Sequence, residues 1–275
     1  MLKQRLITAL ILAPLVIWGV LVMSNQTLML LMALVVLVGG NEWSRLAGAT
    51  GWLQRGGYLG VLALLMTGLA WLATRHQDWL LWLIAANILW WLVVLVGVIR
   101  FNADQRLQGL SLSQLIEGII VLVPAWLALV WIHRLPQDGP RMLVFLLILV
   151  WSADVGAYFS GRRWGRIKLA PRVSPGKTRE GVYGAMVSAL ICGLVLGWWQ
   201  QWELTGYLYA VLLCVTTALV SVLGDLLVSM LKRLRGLKDS GTLLPGHGGL
   251  LDRIDSLTAA SPLFLYGLIL LGKTL

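Results

Sequence analysis

Apolar residues run along this chain in long windows broken by short polar gaps. The windows fall near residues 6–23, 27–41, 57–74, 79–99, 115–132, 142–161, 181–199, 206–227 and 257–272. Most come close to the roughly 20 residues a helix needs to cross a bilayer. The pattern therefore predicts an all-α, polytopic integral membrane protein with about nine transmembrane helices. The second window is the shortest, because its apolar part stops at Glu42. Two polar gaps are long, 162–180 and 228–256, and long polar loops on a rigid scaffold are where function concentrates.

Composition agrees with this picture. Of the 275 residues, 59% are hydrophobic and 12% charged, where soluble domains carry roughly 45 to 50% and 25%. The formal charge of +10 is by itself open to several readings: nucleic acid, anionic lipid, a phosphorylated substrate or topology signals. Its distribution says more. With nine spans, one side of the membrane collects Lys3, Arg5, Arg45, Arg55, Arg100, Arg106 and every Lys and Arg of the two long loops, 18 in all; the other side has only Arg75, Arg134, Arg141 and Lys273. Positive residues favour the cytosol, so the N-terminus and both long loops are expected there and the C-terminus outside. Topology accounts for the excess, and no nucleic-acid partner is expected.

Smaller features fit the same layout. Tryptophans gather near window ends, as at Trp198, Trp199 and Trp202, where indole rings anchor in the headgroup layer. Cys192 and Cys214 lie inside apolar windows, which reads as core packing with neither a disulfide framework nor a zinc pattern. The run from Leu6 to Val22 is longer than a secretory signal core, and the MSNQ after it is a poor cleavage site, so an uncleaved first span is expected.

Carboxylates cost about 2.5 to 3.5 kcal/mol at the centre of a membrane helix, and three fall inside or at the edge of windows: Glu117, Asp154 and Asp225. Glu117 sits about one turn in and is open to two readings, a side chain reaching the interface or a functional group. Asp154, in LVWSADVGAYFSGRR, lies too deep for a solvated face. Asp225, in LVSVLGDLLVSMLKR, shares a helix face with Ser221 and Ser229 at i, i+4 and i+8, and Lys232 continues that face. A polar packing stripe between helices and a cluster converging at the cytosolic surface both fit.

The second loop adds complementary chemistry. Lys232, Arg233, Arg235, Lys238 and Arg253 suit phosphate oxygens, whereas Asp239, Asp252 and Asp255 repel them. The two sets belong together when a divalent cation sits between carboxylate and phosphate, as magnesium does with one or two carboxylates plus substrate oxygens. Pro245, Gly246, Gly248 and Gly249 around His247 permit tight turns whose backbone N–H groups point at an anion. A helix beginning in LLDRIDS puts Asp252, Asp255 and Ser256 on one face near its positive end, and Asp252 then meets Asp225 from a second helix. Two carboxylates, a cation and phosphate-binding groups describe phosphoryl or nucleotidyl transfer. In the first loop, PRVSPGKTREG mimics the end of a P-loop, but Pro171 stands where the first glycine belongs, so it is no Walker motif. Ser174, Lys177 and Thr178 still suit a phosphate or lipid headgroup, or else they start the next helix.

From Ser229 to Asp255 the pattern S-x-L-K-R-x4-K-D-x-G-x2-L-P-x-H-G-G-L-x-D-R-I-D resembles the signature of the phosphatidate cytidylyltransferase, or CDP-diacylglycerol synthase, family. SADVGAYFSGRRWGR and SPGKTREG resemble its other segments, and the polytopic layout extends the likeness over most of the chain. The resemblance implies that CTP and phosphatidate give CDP-diacylglycerol and pyrophosphate in phospholipid biosynthesis, with Mg2+ required and K+ assisting. It implies a homodimer among the lipids of the bacterial cytoplasmic (inner) membrane, its site facing the cytosol. Residues 1–110 would be scaffold helices with a candidate dimerisation role, and residues 111–275 the catalytic region. Asp225 and Asp252 would be metal ligands, with Asp154, Asp239 and Asp255 as further candidates. Ser229, Lys232, Arg233, Lys238 and Arg253 would lie around the nucleotide phosphates, and Lys232 would join Asp225 and Asp252 as the catalytic set. His247, with Gly248 and Gly249, would touch phosphate or shape the turn; it is not needed as a base, because a phosphate monoester is already largely ionised near pH 7.

Three rivals fit less well. A CDP-alcohol phosphotransferase would need a D-G-x2-A-R core, which the sequence lacks. A serine hydrolase pairing Ser160 with His247 would lack any G-x-S-x-G. A secondary transporter would be expected to show repeated hydropathy halves and helices broken at midplane, whereas the polar residues here gather at one face.

Overall fold

The structure, a computed structural model, describes residues 2–75, 77–102, 106–241 and 248–272. Among these residues the helices are α1 Leu2–Val22, α2 Asn25–Leu46, α3 Trp52–Arg75, α4 Gln77–Arg100, α5 Leu112–Arg134, α6 Gly139–Trp164, α7 Arg179–Trp199, α8 Leu204–Leu234 and α9 Leu251–Leu270. Each apolar window coincides with one of them. Seven, α2 to α8, are long and apolar enough to cross a membrane. In α9 the first turn carries Asp252 and Arg253, with Asp255 just after it, and the predicted span begins only beyond them.

Two expectations need correcting. The segment 162–180 is not a loop: α6 continues to Trp164, and β1 Lys168–Ala170 then pairs antiparallel with β2 Ser174–Thr178, Lys168 opposite Thr178 and Ala170 opposite Ser174. The fold is therefore helical apart from one hairpin, whose strands are too short to show a period of two. The 228–256 segment is not all loop either, because α8 runs 31 residues to Leu234 and carries Ser229, Lys232 and Arg233. Apolar windows report depth in the bilayer, whereas Leu, Lys and Arg are good helix formers that continue the helix past the membrane surface. Helix α2 likewise extends through Glu42 to Leu46.

Helices α6, α7, α8 and α9 pack each on the next, and α5 lies against α2, α6 and α9. Helix α5 is the central one, with 67% of its apolar window buried. Helix α4 leans on α8 and α9, and α3 on α2, so the N-terminal helices buttress the C-terminal ones. Helices α8 and α9 cross closely at Gly224, where an added Cβ would collide with the Asp255 carbonyl oxygen. The crossing brings Asp225 beside the first turn of α9. Because successive helices alternate in direction, the C-terminal ends of α6 and α8 and the N-terminal ends of α7 and α9 meet at one end of the bundle.

Candidate active site

Those four helix ends enclose a cavity of about 700 Å³. Its wall takes Asp154 from α6, Lys177 and Thr178 from β2, Asp225 from α8, and Asp252, Arg253 and Asp255 from the N-terminal part of α9. The remaining wall is largely apolar, with Val150, Ala157, Val182 and Leu257 among its residues. The cavity thus has an ionic part and a greasy part.

The charges are arranged as cross-element pairs. Lys177 Nζ lies 2.7 Å from Asp225 Oδ2, and the other Asp225 oxygen accepts the Ser229 hydroxyl at 3.1 Å. The predicted α8 stripe holds for that i, i+4 pair, whereas the Ser221 hydroxyl donates to Ala218 O in its own helix. Lys232 Nζ donates to Asp252 Oδ1 at 2.6 Å, with the two side chains only 12% and 11% exposed. Asp154, Asp225 and Asp255 lie near enough to repel one another, with Lys177 the cation among them.

Asp252 is the most heavily engaged carboxylate. Its Oδ2 accepts the Ser240 N–H at 2.9 Å, the Ser240 hydroxyl at 3.0 Å and the Gly249 N–H at 3.1 Å. Burial by itself raises its pKa, but the Lys232 ammonium and these N–H groups outweigh burial and hold the carboxyl below its ordinary value. The turn at Gly248 and Gly249 makes this possible. Gly248 has φ +81, a left-handed conformation that favours glycine, and a Cβ at Gly249 would collide with Ser240 Oγ and Glu42 Oε2.

The loop amides do point at anions, as the glycine pattern suggests, but the anions are the protein's own carboxylates. Glu42, near the end of α2, accepts the Leu250 N–H at 3.0 Å, the Leu251 N–H at 2.8 Å and the Ser240 hydroxyl at 2.8 Å. In the sequence Glu42 is only the edge of a window. Its signal was present, a carboxylate closing an otherwise apolar run, but its partners lie 198 to 209 residues away and no local pattern names them.

The other candidates take varied places. Arg233 donates to Val173 O and Leu237 O, tying the hairpin to the end of α8. Arg235, counted among the groups suited to phosphate, is spent on protein oxygens: Leu46 O at 2.6 Å, Leu107 O, Gly109 O and Gln114 Oε1. Lys238 and Asp239 are exposed beside the turn. Thr178 caps α7, its hydroxyl accepting the Gly181 N–H at 3.1 Å, while Ser174 lies farther back on β2, away from the cavity wall. The Ser160 hydroxyl faces the carbonyls of Gly156 and Glu180 at 2.8 and 3.0 Å, the posture of a helix-packing serine and not of a nucleophile. Pro245, Gly246 and His247 lie outside the described residues.

Among the described residues no three His, Cys, Asp or Glu side chains converge into a self-sufficient metal cluster. The donor set fits another kind of ion, one held by one or two carboxylates and completed by substrate oxygens, as magnesium is. Asp225 and Asp252, from different helices of one cavity, each already carry a cation on one carboxylate oxygen, the ammonium of Lys177 or Lys232.

Residues 3–271 match the profile of the Cytidylyltransferase family. The chain is similar to the phosphatidate cytidylyltransferase of Pseudomonas aeruginosa, at 42% identity over 96% of this chain and 96% of that protein. It is 38% identical to the Haemophilus influenzae phosphatidate cytidylyltransferase, over 97% of this chain and 98% of the relative. With the Bacillus subtilis phosphatidate cytidylyltransferase it shares 42% identity over 51% of each.

Proposed function

The chain belongs to the Cytidylyltransferase family of enzymes, and from that premise we propose that it joins CTP to phosphatidate, releasing pyrophosphate and leaving CDP-diacylglycerol in the membrane. The observation that carries this reading is the cavity itself. Two carboxylates from crossing helices, Lys177 and Arg253 line it beside apolar residues, with Lys232 paired to Asp252 behind the wall, which suits one polyanionic substrate and one amphipathic substrate.

The reaction needs little covalent help. A phosphate monoester is largely doubly ionised near pH 7, so an oxygen of phosphatidate attacks the α-phosphorus of CTP in line without giving up a proton. As that P–O bond forms, the bond from the α-phosphorus to the bridging oxygen breaks, and pyrophosphate leaves with the electron pair. The protein's task is positioning and charge neutralisation. Lys177, Lys232 and Arg253 offer positive charge to the phosphates, and Val150, Ala157 and Val182 receive the glycerol end of the lipid. Magnesium held by Asp225 and Asp252, when bound, supplies further neutralisation of the triphosphate. Asp154 and Asp255 line the same cavity.

The charge distribution of the loops supports a site on the cytosolic face, where the nucleotide is. Purified protein incubated with phosphatidate, magnesium and each nucleoside triphosphate in turn tests the reaction. CTP should yield liponucleotide and pyrophosphate in equal amounts, and neither should form without the lipid. Pyrophosphate without a liponucleotide, or no product from CTP, would overturn the proposal.

A further inference from the structure

Glu42 sits on α2, in the part of the chain that sequence reasoning treats as scaffold, yet it closes on the catalytic end of the bundle. It is 4% exposed. Helix α9 has no side-chain cap of its own at Leu250, and a helix start leaves N–H groups without partners. Glu42 supplies the missing acceptor from another helix, taking the Leu250 and Leu251 N–H groups at the positive end of α9. It also takes the Ser240 hydroxyl, and Ser240 lies against Asp252 through its N–H and its hydroxyl. The backbone at Gly241 and Gly249 passes so close that a Cβ at either would collide with the Glu42 carboxylate. One buried carboxylate therefore holds both ends of the turn that places Asp252.

We infer that Glu42 is a positioning residue for the active site: by capping α9 and gripping Ser240 it sets the orientation in which Asp252 meets the cation that bridges it to the nucleotide phosphates. It touches neither substrate, and its effect passes through Asp252. The inference rests on the proposed function, since it concerns the same cavity.

The test reads metal binding as well as turnover. Purified wild type and Glu42→Gln are titrated with Mn2+ in the presence of CTP, without lipid, and bound ion is followed by electron paramagnetic resonance. Glutamine keeps the size but turns an amide N–H2 toward the donors of α9. The half-saturating Mn2+ concentration should rise at least about tenfold, and the Mg2+ requirement of pyrophosphate release should rise in parallel. Ser240→Ala, which keeps the α9 cap but removes the hydroxyl shared by Glu42 and Asp252, should shift both in the same direction by a smaller factor. This second variant serves as the test if Glu42→Gln does not fold. The control is Asn87→Leu, which removes a buried bond from α4 to Ile120 O outside the cavity wall; it lowers the melting temperature but should leave the Mn2+ titration unchanged. Variants that bind Mn2+ as wild type does, or a control that shifts as far, would overturn the role of Glu42 and leave the reaction standing. A wild type that binds no Mn2+ would overturn the metal role of the cavity and that of Glu42 with it, whereas the reaction itself stands or falls on product formation from CTP.

Discussion

At the scale of single residues, the site is a set of paired opposites. Lys177 pairs with Asp225 and Lys232 with Asp252 at one end of the bundle, where unpaired charge is costly. Asp225→Asn removes one of the two charges with almost no change in volume. Pyrophosphate release from CTP and phosphatidate should fall by at least about 100-fold while membrane insertion and the melting curve stay near wild type; retained turnover would remove Asp225 from the catalytic set. Asp252 makes a prediction in pH. Its carboxyl is held below its ordinary 3.8, so the folded protein binds that proton less tightly than the unfolded chain does. The stability Asp252 contributes is then present above the unfolded value and is lost as pH falls through the lower folded one. Melting curves from pH 6 to pH 3 should show wild type losing more stability than Asp252→Asn below about pH 4. Parallel losses would mean that the pairing has no net effect on folding.

At the scale of elements, what was legible in the sequence and what was not divide along physical lines. Helix positions were legible because each apolar window must satisfy its backbone internally and face lipid or neighbours. The α8 stripe was legible because Asp225 and Ser229 are one turn apart and bond each other. That Asp252 and Asp225 line one cavity was legible as well, because charges at the start of one helix and the end of the previous one share one end of the bundle. The hairpin was not, since three- and five-residue strands are shorter than any periodic signal, and Val173 is held by Arg233 from 60 residues away. Thr178 shows the same limit. Its sequence context suits a phosphate contact or a helix start, and the structure shows it capping α7. Thr178→Ala should cost about 1 kcal/mol and lower the melting temperature by a few degrees, and Thr178→Ser, which can cap, should restore it. If serine restores the melting temperature but leaves the KM for phosphatidate raised, Thr178 does more than cap.

At the scale of the whole molecule, the bundle has one chemically distinct end. The cavity, the hairpin and the first turn of α9 that carries Asp252 all sit where α6 and α8 finish and α7 and α9 begin, and the N-terminal helices reach that end through Glu42 and through the Arg235 contact to Leu46. The basic residues of the hairpin region, Arg162, Arg163, Arg166, Lys168, Arg172, Lys177 and Arg179, lie at this same end. A bilayer retains positive segments on its cytosolic side, which is the support for the proposed cytosolic site. Cysteine labelling tests this directly, because Cys214 is buried and Cys192 half-buried, and both can be replaced by alanine at small cost. Arg166, between α6 and β1, and Glu203, before α8, are both exposed and are separated by α7, so single cysteines at the two positions report opposite faces. In intact bacterial spheroplasts a membrane-impermeant maleimide should label Glu203→Cys and leave Arg166→Cys untouched until the membrane is permeabilised. Labelling of Arg166→Cys in sealed cells would put the cavity outside, away from any nucleotide supply, and the cytosolic reading would have to be given up.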